Sequence, residues 1–253
     1  MYTEEELEKL AEEEDNLTEE AIAAILITLG ITESELKKEI RNFYATYGTD
    51  GVITYQEARK WVSSQNHTRR LFFLNQIIDA LFGDSFDEFE LTFKNHLKTL
   101  ILDEAKFFGV KVDVDKILEM AWGTDGLTWK QRLWAYRDKW TSVIGNDLKI
   151  SFLKRENLAD VLKKVDGRFG SMDKILHRLT VTESTATRSL ARKEIFTKLG
   201  IEKYQFFTQA DERTCETCGA MHCNIFPMTA YEVGVTASPL HPVCRCWEVP
   251  IVD

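Results

Sequence analysis

The chain has 253 residues, 44% hydrophobic and 29% charged, with a formal net charge of −9. That is enough length and apolar content for one large domain or two modest ones, each with a real core. No run of 18 apolar residues occurs, which excludes a helical membrane span, and the acidic start MYTEEELEKLAEEED is neither a signal nor a transit peptide, so the chain reads as made and kept in the cytosol. The charge is local. Residues 1–20 carry ten acids against one lysine, and the remaining residues balance at 31 acids and 31 bases. An acidic helix face or tail in contact with water is the expectation there.

In chain order, Ile22, Ile25, Leu26 and Leu29 follow helical spacing and are expected to stop at Gly30. Leu36, Ile40, Phe43, Tyr44 and Tyr47 repeat the pattern and stop at Gly48. Thr3 with Glu6, Thr32 with Glu35 and Thr54 with Glu57 fit the capping box, in which hydroxyl and carboxylate satisfy first-turn amides. Further helices are predicted over 68–82, 85–108, 113–121, 128–144, 156–165, 171–179 and 182–199. All four prolines fall in the last 27 residues and all five cysteines in the last 39. A long proline-free stretch suits helices joined by short turns. From about Gln205 the pieces YQFFTQA, NIFPM and CWEVPIV alternate with turn residues and read as short strands. The expectation is a mainly α protein: a multi-helix body over 1–200, then a small α+β module over 201–253.

Three motifs have a bland reading that outweighs a functional one. TYGTDGVITYQE (46–57) places Asp50, Gly51, Ile53 and Glu57 as a calcium loop would, but Thr46 and Gly48 stand where early carboxylates are needed. An Asp-Gly turn is the better reading. Trp122–Trp140 interleaves four tryptophans with four basic residues, as a single-strand nucleic-acid platform could. Trp129, Leu133, Tyr136 and Trp140 nevertheless share one helix face and read as core. Arg178, Arg188, Arg192, Lys193 and Lys198 could face phosphates, but a hydrated helix face is expected.

The thiols carry the chemistry. Cys215-x-x-Cys218 is followed by His241-x-x-Cys244 and then Cys246. Two ligand pairs, each with two intervening residues, suit a tetrahedral zinc ion, because each short turn delivers two donors to one centre. Thiolate and imidazole favour zinc over calcium or magnesium. On an extended strand Cys244 and Cys246 point to the same side, so either could be the fourth ligand. A disulfide, free thiols or a catalytic thiol are the alternatives. A unit of about fifty residues has little core, so a structural metal would serve it.

These residues carry a resemblance. Asp211-Glu-Arg-Thr214-Cys215-Glu-Thr-Cys218 and Ser238-Pro239-Leu240-His241-Pro242-Val243-Cys244-Arg245-Cys246 resemble, in order and separation, the C-terminal signature of the phage Mu F-like minor head proteins of tailed bacteriophages. LTWKQRLWAYRDKW (127–140) and HRLTVTEST (177–185) are similar to that family's upstream helices, so the resemblance covers about 120–253. Ser238 departs from a family proline, and Met221-His222-Cys223-Asn224 replaces an Asp-Gly turn, which marks His222 and Cys223 as bystanders. The resemblance implies a minor head structural protein at the portal vertex, without catalytic activity, acting in head assembly and in DNA packaging or delivery. The implied partners are the portal protein, the major capsid or scaffold protein, and double-stranded DNA without sequence preference, with no membrane. The implied location is the virion, after synthesis in the host cytoplasm. The rivals are a nuclease or toxin using His241 and Arg245, and a zinc-bearing DNA-binding module.

Overall fold

The computed structural model describes residues 4–53, 57, 67–209 and 211–252. Four long helices dominate: α1 (Glu4–Tyr47), α2 (His67–Phe107), α4 (Trp129–Leu153) and α5 (Leu158–Lys198), with a short α3 (Val114–Leu118) between α2 and α4. A two-residue hairpin, β1 (Gly48–Thr49) and β2 (Val52–Ile53), follows α1. After α5 come β3 (Lys203–Phe207), the short helix α6 (Glu216–Met221), β4 (Ile225–Pro227), a 3-10 turn over Met228–Ala230, and β5 (Trp247–Ile251). The protein is mainly α with a small C-terminal sheet, as the sequence pattern predicts.

The helices are longer than the glycines suggest. Gly30 lies inside α1, and Gly83, Gly167 and Gly170 lie inside α2 and α5. An interior glycine costs a helix about 1 kcal/mol. The continuous buried row Ile25, Leu29, Leu36 and Ile40 outweighs that loss many times over. Thr32 therefore caps nothing. It sits mid-helix and donates its hydroxyl to the Thr28 carbonyl at 2.9 Å, the usual outlet for a buried helical threonine. The capping boxes expected at Thr3 and Thr54 begin outside the described residues. Within the calcium-loop segment, residues 48–53 form a hairpin in which Asp50 (φ 54°) and Gly51 (φ 76°) both adopt left-handed backbone. That pair suits the tight turn whose twist matches the strands.

Two compact units emerge, and each long helix contributes to both. One comprises residues 25–90 and 133–175. Its interior is aromatic: Phe86 packs against Phe89 (4.9 Å between ring centroids) and Trp140 (5.7 Å), and Phe43 stacks on Phe152 at 4.9 Å. Trp140 is buried there, so this part of the tryptophan-rich stretch is core. The other unit comprises residues 1–24, 91–132 and 176–253. Here Trp129 is buried, with its indole N–H donating to the Leu118 carbonyl at 3.0 Å. The three-stranded antiparallel sheet of this unit has the order β4-β3-β5. Tyr204 pairs with Phe226 and Pro250, and Phe207 pairs with Trp247. Ala11 of α1, Phe207 and Trp247 form one apolar cluster.

Two expectations about charge need correcting here. Glu14 and Arg188 are not on hydrated faces: Glu14 is 1% exposed, Arg188 is 6% exposed, and they pair at 3.3 Å. Arg192 is likewise buried, against Glu104 of α2. Lys193 and Lys198 are exposed as expected. The reason lies in the neighbours. Residues 183–192, ESTATRSLAR, are all buried, and their small side chains let other segments approach closely enough to surround the two long arginines.

Candidate metal centre

The site is assembled by two turns and anchored by one helix. In the first turn, Asp211 Oδ1 accepts the Arg213 amide at 3.1 Å and the Thr214 hydroxyl at 3.3 Å. This arrangement, a side chain mimicking a backbone turn, delivers Cys215 to the N-cap of α6, where its sulfur accepts the Cys218 amide at 3.4 Å. Arg245, just before β5, clamps the turn, donating to both Asp211 oxygens at 2.7 and 2.9 Å. The Arg245 guanidinium holds the Asp211 carboxyl down at about 2. The spacing Asp-x-x-Thr-Cys is therefore a turn followed by a cap.

The second turn runs His241 to Cys244. The Cys244 amide donates to the His241 carbonyl at 3.2 Å, and Val243 takes a left-handed φ of 62°. Helix α5 holds the turn at two points. The Val243 amide donates to the Thr182 hydroxyl at 3.0 Å, and the Thr185 hydroxyl donates to the Cys244 carbonyl at 2.9 Å. The segment HRLTVTEST thus contributes the threonines that seat this loop.

The turns converge. His241 Nε2 lies 3.2 Å from Cys215 Sγ and 3.1 Å from Cys218 Sγ, and Cys218 Sγ lies 3.7 Å from Cys244 Sγ. The five predicted donors form two overlapping groups, Cys215/Cys218/His241 and Cys218/Cys244/Cys246, that share Cys218. Cys218, Cys244 and Cys246 are buried with Phe206, and Met221, Phe226 and Leu240 pack around them. All five thiols are free. Two thiolates on one tetrahedral zinc, at about 2.3 Å each, stand about 3.7–3.8 Å apart, so the Cys218–Cys244 separation fits a shared ion. His222 and Cys223 are otherwise occupied. His222 Nδ1 accepts the Thr208 amide at 3.2 Å, and Cys223 is exposed in left-handed backbone.

Proton affinities divide the thiols. A hydrogen bond from Cys246, with help from backbone amides and His241, brings Cys244 down to about 5. Burial, with Cys244 beside it, pushes Cys218 up to about 12. The Cys218 amide lowers Cys215, while the contact with Cys244 and burial raise Cys246. Burial opposes the His241 cation, yet the Pro242 carbonyl and the neighbouring thiols keep its affinity above the ordinary value.

A buried polar network behind the site has no counterpart in the sequence reading. Arg192 Nε donates to Glu104 at 2.7 Å, and its Nη1 donates to the Glu248 carbonyl at 3.0 Å. The Glu248 carboxylate accepts the Ser189 hydroxyl at 3.0 Å, the Tyr231 hydroxyl at 3.1 Å and the Ser238 amide at 2.6 Å. Burial raises the affinities of Glu14 and Glu248 for protons. His96 sits nearby, 2.8 Å from the Ser184 hydroxyl and 3.3 Å from that of Thr18, and burial lowers it to about 4. The legible signal was the run of small residues around Arg188 and Arg192, which leaves no bulky side chain to shield them.

No curated protein and no solved structure matches the chain. Residues 144–249 match the family described as Phage Mu protein F like protein. That span includes α5 with Thr182 and Thr185, both turns and all five candidate ligands. Among the described residues no helix is long and apolar enough to cross a membrane. Over residues 144–249 the chain is similar to the phage Mu F-like proteins.

Proposed function

We propose that the chain is a non-catalytic minor head protein of a tailed bacteriophage, carried in the virion at the portal vertex and acting in head assembly and in DNA packaging or delivery. The family match over 144–249 is the observation that carries this reading. The chemistry of the groups around the thiols agrees with it: Asp211, Arg245, Thr182 and Thr185 each spend their polar atoms on holding turns, which is structural work. In this reading a zinc ion held by the thiol turns staples the C-terminal module, and the partners are the portal protein and the capsid or scaffold protein. Contact with DNA, where it occurs, is non-specific.

The test is made on particles. Mass spectrometry of purified virions from the phage encoding this chain should find it at low copy in the head, and crosslinking should join it to the portal protein. Its absence from particles that contain portal and capsid proteins would overturn the reading. Turnover of nucleic acid by the purified protein, lost in His241→Ala with the fold intact, would favour the nuclease instead.

A further inference from the structure

The acid excess of residues 1–20, ten carboxylates against one lysine, borders an apolar groove. Leu10, Glu13, Leu17 and Glu20 recur at helical spacing and share one face of α1. Asp103, Lys106 and Phe107 do the same on α2. Together they line a groove of about 550 Å³, and all of them belong to the same compact unit. Leu10 is buried and Leu17 and Phe107 are half-buried, so they form the floor. Glu13, Glu20 and Lys106 are exposed at the rim, with Asp103 beside them half-buried. Lys9 stands 3.8 Å from Glu13, yet the carboxylates around the groove still outnumber these two lysines.

One lining residue points to an occupant. Glu14 also faces this groove and is 1% exposed. Arg188 Nη1 donates to its Oε2 at 3.3 Å, but Oε1 has no hydrogen-bond partner among the described residues. A buried carboxylate oxygen without a donor is costly, and the groove is the route by which a donor can reach it. A lysine meets both demands. Its four-carbon stem suits the Leu10, Leu17 and Phe107 floor, and its ammonium suits Oε1. A groove between two helices takes the side chains of a third. The same carboxylates repel nucleic acid, so the partner they favour is a basic protein surface.

We propose that this groove docks a basic amphipathic helix of a partner protein, with one lysine of that helix laid along the apolar floor and its ammonium bonded to Glu14 Oε1.

The test titrates the full chain with a synthetic amphipathic helical peptide of leucine and lysine, read by calorimetry. One peptide should bind per chain. Its lysines are then replaced one at a time by norleucine, which keeps the stem and removes the charge. One position should weaken binding at least ~10-fold, as should Glu14→Gln in the protein. The pair Glu13→Lys and Glu20→Lys reverses the exposed rim, leaves the Arg188 contact in place and should also weaken binding at least ~10-fold, so the test stands even where Glu14→Gln does not fold. Small, equal losses at every lysine overturn the insertion. Absence of binding, or binding indifferent to the rim reversal, overturns the site. Spermidine that binds as tightly as the peptide and displaces it would make this a site for a free polyamine and overturn the docking.

Discussion

Around Phe86, in the unit of residues 25–90 and 133–175, four rings lie within 6.3 Å of its centroid, from Phe82, Phe89, Trp134 and Trp140. Around Arg192, in the unit of residues 1–24, 91–132 and 176–253, the neighbours are a carboxylate from α2 and a carbonyl from β5. Both residues are buried in the same protein, but by different physics. Rings are non-directional and tolerate repacking if volume is kept. Buried ions demand each partner at its place, because an uncompensated charge in low dielectric costs far more than a lost contact. The ring-filled unit is therefore expected to bend under substitution, and the ion-filled unit to break.

The largest effect should come from Arg192→Met. It leaves Glu104 and the Glu248 carbonyl without their donor, and the stability loss should be about 5 kcal/mol. Hydrogen exchange read segment by segment should show it first in 1–24, 91–132 and 176–252. Equal loss of protection in 25–53 and 133–175 would erase the contrast. Phe86→Ala should cost about 4 kcal/mol by transfer and cavity terms, whereas Phe86→Leu should recover more than half of it in denaturant titrations. No recovery would mean that the aromatic unit is as exacting as the ionic one.

Protons sharpen the comparison further. His96 has its folded affinity lowered from the ordinary 6.5 to about 4, so it stabilises fully above the unfolded value. Between pH 6.5 and 4 the unfolded chain binds the extra proton, and stability falls by up to about 3 kcal/mol. Glu14 and Glu248 act the other way. Their affinities are raised by burial, so they cost stability as pH rises through the range above the unfolded carboxyl value. The difference between wild type and His96→Gln isolates the histidine: its pH slope should vanish below pH 4 and above pH 6.5. A difference that is flat throughout would contradict the buried neutral imidazole. The smallest effect belongs to Gly51→Ala, where φ of +76° should cost about 1 kcal/mol by thermal melting, an exposed-turn effect that touches neither interior.

What the sequence revealed follows the same division. Apolar periodicity marked Ile25, Leu29, Leu36 and Ile40 as core, and spacing pointed to Cys215, Cys218, His241, Cys244 and Cys246 as one set of candidate donors, because both signals are local. The length of α1 was missed because a glycine's cost is small beside a face that continues past it. The pairing of Arg188 with Glu14 was missed because nothing within either segment names a partner 174 positions away. Thr182 and Thr185 were quoted only as part of a resemblance, since a threonine in a helix does not announce that it will hold a loop 59 to 61 residues downstream.

That separation has a kinetic side. Glu14, Glu104 and Glu248 converge on two adjacent turns of α5, so the network closes loops spanning most of the chain. Loop closure is slow and earns its return only when the last contact forms. During synthesis Arg192 must wait for its Glu248 carbonyl until β5 has left the ribosome, while Phe43 and Phe152 can already meet. The ionic network is thus expected to close later than the aromatic one, because one of its partners lies on β5.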